Sequence, residues 1–185
     1  DVFAVGKWNK LIDFAEAIRE SFRHFVGRDD ISISGGIAII GEKYPIAKAA
    51  EIAGKAEETA KKFNNSTKDA FNLFGLSISW NDEFGIVKDF KNKMVELCDK
   101  KNMSRSLLHK LMAFANMKKR GELSYIWHTV YFLKRFSEGK NDSIKNFCKD
   151  LQQVLFNTKG NRNYELLAIA ARWAELELRE NNSNN

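Results

Sequence analysis

The stretch from residue 31 to residue 44, ISISGGIAIIGEKY, restricts the possible folds of this chain more than any other segment. Its isoleucines supply the β-branched enrichment that is typical of a buried strand. Ser34, Gly35 and Gly36 remove side-chain bulk midway, and such a gap lets another backbone, or a ligand, come close. We therefore predict an interior strand over residues 31–40, followed by a helix over residues 46–63.

The rest of the first half alternates between strand and helix patterns. Residues 2–5 are a short apolar strand candidate, and apolar residues spaced by three and four predict an amphipathic helix over residues 8–26. After the alanine-rich helix over residues 46–63, a third strand is predicted over residues 70–74, ended by Gly75. The order β-α-β-α-β favours helices that cross over between strands of one sheet.

The second half has a different pattern, with five predicted helices and no predicted strand. These helices cover residues 83–100, 104–117, 122–137, 143–157 and 164–180. Their aromatic residues occur mostly at helical spacing, so core packing is favoured over base stacking; they are Trp127, Tyr131, Phe132 and Trp173. The sequence thus predicts an α+β protein, with an α/β domain over residues 1–79 and an all-helical bundle over residues 80–185.

The positive charge lies in the second half. Residues 1–79 hold 11 basic and 11 acidic side chains, whereas residues 80–185 hold 19 basic and 13 acidic ones. A basic face indicates an acidic partner or a nucleic-acid backbone, although solvated surface lysines explain the same balance. Lys118, Lys119 and Arg120 precede Gly121 at a helix junction, where they either contact phosphates or form a solvated turn.

Familiar catalytic motifs are absent from the sequence, which has no Walker loop, GxSxG, HExxH or CxxC. His24, His109 and His128 are far apart and are interpreted as surface or hydrogen-bonded histidines rather than catalytic ones. Cys98 and Cys148 have no pairing pattern and are expected to be buried free thiols. Without an apolar run of about 20 residues or a signal-peptide layout, we expect a cytoplasmic protein with no membrane partner.

A series of motifs connects these elements to a known family. The first residues, DVFAVG, look like the continuation of a GGDD hairpin of which Asp1 is the last aspartate. ISISGGIAI, YPIAKAAEIAGKAEETAKK and KDAFNLFG follow in that order. Together they resemble the second palm (cyclase-like) domain of the large subunit of type III CRISPR effector complexes, most closely the Csm (III-A) branch. The resemblance covers nearly the whole chain and implies a partial ferredoxin-like palm over residues 1–79.

The resemblance also implies a chemistry. In palm cyclases, the carboxylates of the GGDD hairpin help to hold two divalent metals, Mg or Mn, which activate a ribose 3′-hydroxyl for attack on ATP. The family makes cyclic oligoadenylates when target RNA is bound and often carries a separate HD-type nuclease. Only Asp1 matches the metal motif here, because the preceding Gly-Gly-Asp, the first palm domain and the HD domain are missing. The chain is therefore expected to be a C-terminal piece that is inactive alone.

Two lysines are assigned by likeness to diguanylate cyclases. Lys61, in AEETAKK, matches a lysine that contacts nucleotide phosphates, and Lys68 matches a further basic residue loosely, since the usual Gly-Arg-Asn is missing. A lysine on a helix face is otherwise only solvated. The segment from Ser34 to Gly36 is expected to pack behind the hairpin rather than to touch ATP.

The helical half resembles the C-terminal domain of the same family. This implies docking on a small helical subunit and on the subunit that binds the crRNA 5′ end, close to crRNA and target RNA, in addition to the remainder of the same subunit. One alternative is a protein- or RNA-binding helical module with a non-catalytic α/β scaffold. A stand-alone cyclase is disfavoured because no second carboxylate cluster lies at a strand end. If residues 2–5 form a strand without a mate, we expect the sheet edge to pair with another chain.

Overall fold

The computed structural model describes residues 2–28, 30–66, 68–100, 103–157 and 162–183, and the chain divides into two compact units, residues 1–85 and 86–185. The described residues form seven helices and a small sheet of three strands, which confirms the α+β class. In chain order the elements are α1 (Trp8–Val26), β1 (Gly35–Ile37), α2 (Ile46–Ser66), β2 (Ala70–Leu73), β3 (Leu76–Ser79), α3 (Phe84–Asp99), α4 (Ser106–Lys119), α5 (Tyr125–Ser137), α6 (Asp142–Leu155) and α7 (Asn163–Ser183).

The sheet of the first unit combines one crossover with one hairpin. β1 and β2 are parallel, with Gly36 opposite Asn72, and α2 connects them. β2 and β3 are antiparallel, and the turn between them consists of Phe74 and Gly75 at φ 53° and 79°. Two successive residues with positive φ are the mark of a type I′ turn, whose twist matches that of the flanking strands.

The strands differ from the sequence predictions in three places. Residues 2–5 were predicted to be a strand, but they form none and their apolar side chains are exposed. The predicted strand over residues 31–40 is reduced to Gly35–Ile37, because its partner β2 is itself only four residues long and pairs with it over Phe71–Leu73. β3 was missed, since Gly75 was interpreted as the end of the sheet rather than as half of a tight turn.

The core of the first unit forms around one aromatic cluster. The ring centroids of Phe71 and Trp80 are 4.6 Å apart in a stacked arrangement, and Phe84 lies 4.8 Å from Trp80. Ile12 of α1 and Ala60 of α2 are fully buried in the same unit. Small alanine side chains bring α2 close to the sheet, and α2 contacts all three strands.

The second unit is a bundle of helices. α4 packs along α7, α5 packs against α4 and α6, and α6 also contacts α7. Its fully buried side chains are mostly leucines contributed by several helices; they include Leu107, Leu108, Leu111, Leu133, Leu151 and Leu167. In the part of the chain that the structure describes, no helix combines the length and the apolar character that crossing a membrane requires.

All five predicted helices of the second half are present, with ends that shift by up to a few residues. Ser104 precedes α4 by two positions, and its hydroxyl accepts a hydrogen bond from the Ser106 amide at 3.3 Å. Trp173 is buried as predicted, but Trp127 and Tyr131 are exposed, so the prediction of core packing was wrong for them. Other side chains of α5 already fill the space between α5, α4 and α6.

Candidate nucleotide-phosphate site

The small-residue gap of the first unit accommodates a helix backbone. A Cβ atom added at Gly36 would lie 2.6 Å from the carbonyl carbon and 2.7 Å from the Cβ atom of Ala56, both in α2. Gly35, by contrast, has room, because its added Cβ atom would meet only the Phe71 ring at 3.6 Å. Of the two partners predicted for this gap, a backbone or a ligand, the structure shows the backbone.

This close approach fixes the part of α2 that carries Lys61. The Lys61 ammonium lies 2.7 Å from the Glu57 carboxylate one helical turn earlier, and the backbone nitrogen of Glu57 is the atom that an added Gly36 Cβ would meet first. The Lys61 side chain keeps 43% of its surface exposed. A phosphate can therefore reach this lysine, although it competes with the Glu57 carboxylate for the ammonium protons.

Lys68 lies in the connection between α2 and β2. Its backbone has φ 55°, which is unusual for a residue with a side chain, and its carbonyl oxygen accepts a hydrogen bond from the Ser32 hydroxyl at 2.8 Å. The side chain itself is exposed. The backbone at Lys68 is thus anchored to the segment before β1, while its ammonium group is accessible to an anion.

The next residue, Asp69, connects three parts of the unit. Its carboxylate accepts a hydrogen bond from the Asn81 amide at 2.7 Å and lies 3.5 Å from the Arg19 guanidinium of α1. Arg19 also donates to the Asn81 side-chain oxygen, and its guanidinium lies 5.5 Å from the centre of the Trp80 ring. These contacts hold α1 against the ends of β2 and β3 and position the loop that contains Lys68.

The predicted metal ligand Asp1 lies outside the described residues. Within the described residues, no group of three or more His, Cys, Asp or Glu side chains is arranged to hold a metal ion. A metal site in this part of the protein would therefore need carboxylates in addition to those that the structure describes.

The basic cluster predicted at the end of α4 is partly paired. The Lys118 ammonium lies 5.5 Å from the centre of the Tyr164 ring, and the Arg120 guanidinium lies 2.6 Å from the Glu122 carboxylate. Lys119 is exposed, and its side chain has no ion pair, hydrogen bond or ring contact among the described residues. Of the three basic residues, Lys119 is the one most available to an outside partner.

The sequence interpretation missed the residues that support these lysines. The Glu57–Lys61 pair was visible as an i,i+4 spacing of opposite charges, which commonly forms an ion pair on a helix. The cluster of Arg19, Asp69 and Asn81 had no comparable signal, because its members come from α1 and from the two ends of the β2–β3 hairpin.

Comparisons with known proteins confirm the resemblance found in the sequence. Residues 1–72 match the family model described as Cas10/Cmr2, second palm domain. The chain is also similar to proteins named CRISPR system single-strand-specific deoxyribonuclease Cas10/Csm1 (subtype III-A). The relative from Streptococcus thermophilus is 24% identical over 177 residues, or 91% of this chain and 23% of the relative.

Two further relatives carry the same name. The protein from Mycobacterium tuberculosis is 27% identical over 157 residues, which cover 83% of this chain and 19% of the relative. The protein from Enterococcus italicus is 25% identical over 175 residues, which cover 92% and 21%. The similarity therefore extends over both units, and the chain spans about a fifth to a quarter of the length of these relatives.

Proposed function

We propose that this chain is part of the large subunit of a type III-A CRISPR effector complex. Residues 1–79 would contribute to binding ATP and divalent metal for cyclic oligoadenylate synthesis. Residues 80–185 would dock on the small helical subunit and on the subunit that binds the crRNA 5′ end, near crRNA and target RNA. The complex would act in the cytoplasm as an antiviral defence.

The observation that carries this proposal is the match of residues 1–72 to the second palm domain, together with similarity to three subtype III-A relatives over 83–92% of the chain. A role in a type III CRISPR large subunit follows from that similarity. The finer assignments rest on the sequence motifs and on the accessible lysines of the first unit.

Within this proposal, each candidate residue has a distinct task. Lys61 and Lys68 are suited to phosphate contacts, because both side chains are accessible, α2 closely approaches Gly36 one turn before Lys61, and the backbone of Lys68 accepts a hydrogen bond from Ser32. Asp1 would be one of several carboxylates that hold the metal ions, the others coming from outside this chain. Bound metals would stabilise the charge that develops on the phosphates of ATP. Alone, this chain would make no cyclic oligoadenylate, since one carboxylate does not hold two metals.

The test is isothermal titration of ATP and manganese against this chain, alone and after it is joined to the preceding part of the subunit. Binding that appears only in the joined protein is expected, because the metal ligands then come together. If this chain alone binds ATP, the residues that hold the nucleotide must all lie within this chain. Cyclic oligoadenylate made by the chain alone would contradict the predicted inactivity.

Two variants of the joined protein distinguish a specific phosphate contact of Lys61 from a general effect of positive charge on ATP binding. Lys61→Ala should weaken ATP binding about tenfold, the loss expected of one charge-assisted phosphate contact. Lys62→Ala is the matched control, because Lys62 is the next residue of α2, is exposed and also has a glutamate one turn earlier. Equal effects of the two substitutions on ATP binding would show that Lys61 makes no specific phosphate contact.

The second candidate function is a protein- or RNA-binding module in which the α/β half is only a scaffold. The exposed Lys119, whose side chain has no partner in the part of the chain that the structure describes, and the exposed aromatic side chains of α5 favour it. A joined protein that binds RNA or protein partners but no ATP would support this candidate over the first.

A further inference from the structure

Four large apolar side chains on one side of α5 and of the turn that leads into it are exposed to solvent. Leu123, Trp127, Val130 and Tyr131 expose 76%, 75%, 42% and 62% of their surfaces. Positions i, i+4, i+7 and i+8 fall on a single face of a helix. We call these four residues the α5 apolar face.

The α5 apolar face is not needed for the core of its own unit. The opposite side of α5 carries Thr129 and Leu133, which are fully buried where α5 packs against α4 and α6. The helix is therefore apolar on two sides, of which only one is used inside the described unit. A solvated helix normally has charged or polar residues on its second side.

The segment that carries the α5 apolar face is basic. Residues 118–140 contain six lysines and arginines but only two acidic residues. Lys134 lies one turn after Tyr131, is exposed, and has no side-chain partner among the described residues. Arg135 donates a hydrogen bond to the Tyr131 hydroxyl at 2.8 Å, which holds the exposed ring beside a second positive charge. A partner with acidic side chains would be complementary to this rim.

We propose that the α5 apolar face docks an amphipathic helix of a protein partner, in which aspartates or glutamates flank the apolar side chains. The spacing of the four residues is that of a helix ridge, which fits the groove of a second helix. Trp127 and Tyr131 are the residue types that contribute most binding energy at such contacts. This proposal rests on the docking role proposed for residues 80–185, to which it assigns one helix face, and it is independent of nucleotide binding by residues 1–79.

The composition of the α5 apolar face favours a protein helix over RNA. Bases bind through stacking on flat side chains and through hydrogen bonds. Leu123 and Val130 offer neither, and the Tyr131 hydroxyl is already engaged by Arg135. Two aliphatic side chains beside two aromatic ones instead form the mixed surface that another apolar helix face covers.

A photocrosslinking amino acid in place of Trp127, in the intact protein within its native cells, tests the identity of the occupant. The control position is Lys149, which is exposed on α6 of the same unit. We expect adducts at position 127, identified by mass spectrometry, with a helical segment of another protein that is rich in Asp and Glu. Adducts with RNA, a second copy or another segment of the same protein, or none above the control, would overturn the proposal.

Substitutions then measure the contact with the crosslinked protein after purification. Trp127→Asp should weaken its binding at least tenfold, and Lys134→Glu should weaken it and reduce its salt dependence. Lys149→Asp should change neither. Unchanged thermal unfolding of each variant excludes loss of the fold as the cause, and unchanged affinity of the Trp127→Asp variant would refute the docking site. ATP binding, measured in parallel, reports separately on the proposed function.

Discussion

Gly36 and Ala56 are in backbone contact, since a Cβ atom added at Gly36 would lie 2.6 Å from the Ala56 carbonyl carbon. Gly36→Ala would therefore push α2 away from the sheet, and because the clash is with backbone, no side-chain rotation relieves it. We expect the first unit to lose about 3 kcal/mol of unfolding free energy, measured by urea titration. Gly35→Ala is the control, because its added Cβ atom would meet Phe71 at an ordinary 3.6 Å. A Gly36→Ala protein as stable as the control would show that α2 moves freely.

Glu175 of α7 is buried among positive charges and should make the stability of the second unit depend on pH. Only 3% of its surface is exposed, and its carboxylate lies 2.6 Å from the Arg172 guanidinium and 4.0 Å from the His109 ring. Burial raises the pKa of Glu175, but the hydrogen bond from Arg172 and the charges of Arg172, Arg179 and His109 outweigh it, so the pKa lies below its usual 4.5.

Because the folded pKa is lowered, the charged Glu175 stabilises the fold fully above its unfolded value. That stabilisation is lost as the pH falls through the lower folded pKa. Glu175→Gln should cost about 1–2 kcal/mol at pH 7, with the difference from the original protein shrinking below about pH 4. Urea titrations at several pH values measure it. Glu96→Gln, in an exposed pair with Lys100, is the control and should change little. A constant difference at all pH values would contradict the assigned charge.

Cys98 and Cys148 should react slowly with thiol reagents in the folded protein. Both are free; Cys148 is buried and Cys98 is half-buried, as the sequence largely predicted. Burial raises the pKa of each thiol to about 11, and the thiolate is the reactive form. With Ellman's reagent at pH 8, we expect slow modification that becomes complete within minutes in guanidinium chloride. Fast reaction of both thiols in the folded protein would contradict their burial.

Lys119 should contribute to RNA binding if the end of α4 lies near a nucleic-acid backbone. Lys119→Glu should weaken RNA binding. It should also make the plot of log affinity against log salt concentration less steep by about one unit, the change expected when one phosphate contact is lost. Fluorescence anisotropy of labelled RNA at several salt concentrations measures both quantities. Lys149→Glu makes the same charge change on α6 and should have less effect. Equal effects of the two substitutions would indicate attraction by net charge alone.

The free edge of the sheet at β1 should promote self-association. Among the described residues β1 pairs only with β2, and several apolar side chains of the same unit are exposed, among them Val2, Phe3, Ile39 and Ile40. Unpaired strand edges bind other strands. Light scattering of the concentrated chain should show dimers or larger species, and serine at residues 2 and 3 should reduce them. A single monomeric species at high concentration would mean that the edge is covered in another way.

Helices were easier to predict than strands in this protein because their signals are local. The apolar spacing predicted α1 with the bounds Trp8 and Val26 that the structure has, and the five helices of the second half differ only at their ends. The strand over residues 31–40 shrank to three residues because its length depends on β2, which the local pattern does not report. The turn at Phe74 was missed because a bulky residue rarely adopts positive φ.

In the candidate sites, too, features with a local sequence signal were predicted and features that depend on packing were not. Lys61 and Lys68 were proposed from motifs and stay predictions, and the role of the small-residue gap as a contact for α2 was one of two predicted alternatives. The exposure of Trp127 was not predictable from periodicity, because α5 is apolar on both sides and the pattern does not say which side faces the bundle. Only the packing of α4 and α6 determines that choice.

The connections between the strands also predict the order in which the strands pair during folding. β2 and β3 are joined by two residues, and hairpins of this kind form within microseconds. β1 is separated from β2 by the whole of α2, so its pairing must wait for a much longer loop to close. Amide hydrogens of Gly35–Ile37 should consequently exchange with solvent before those of Ala70–Leu73. β1, the strand that α2 approaches at Gly36, would be the last strand to join the sheet and the first to leave it.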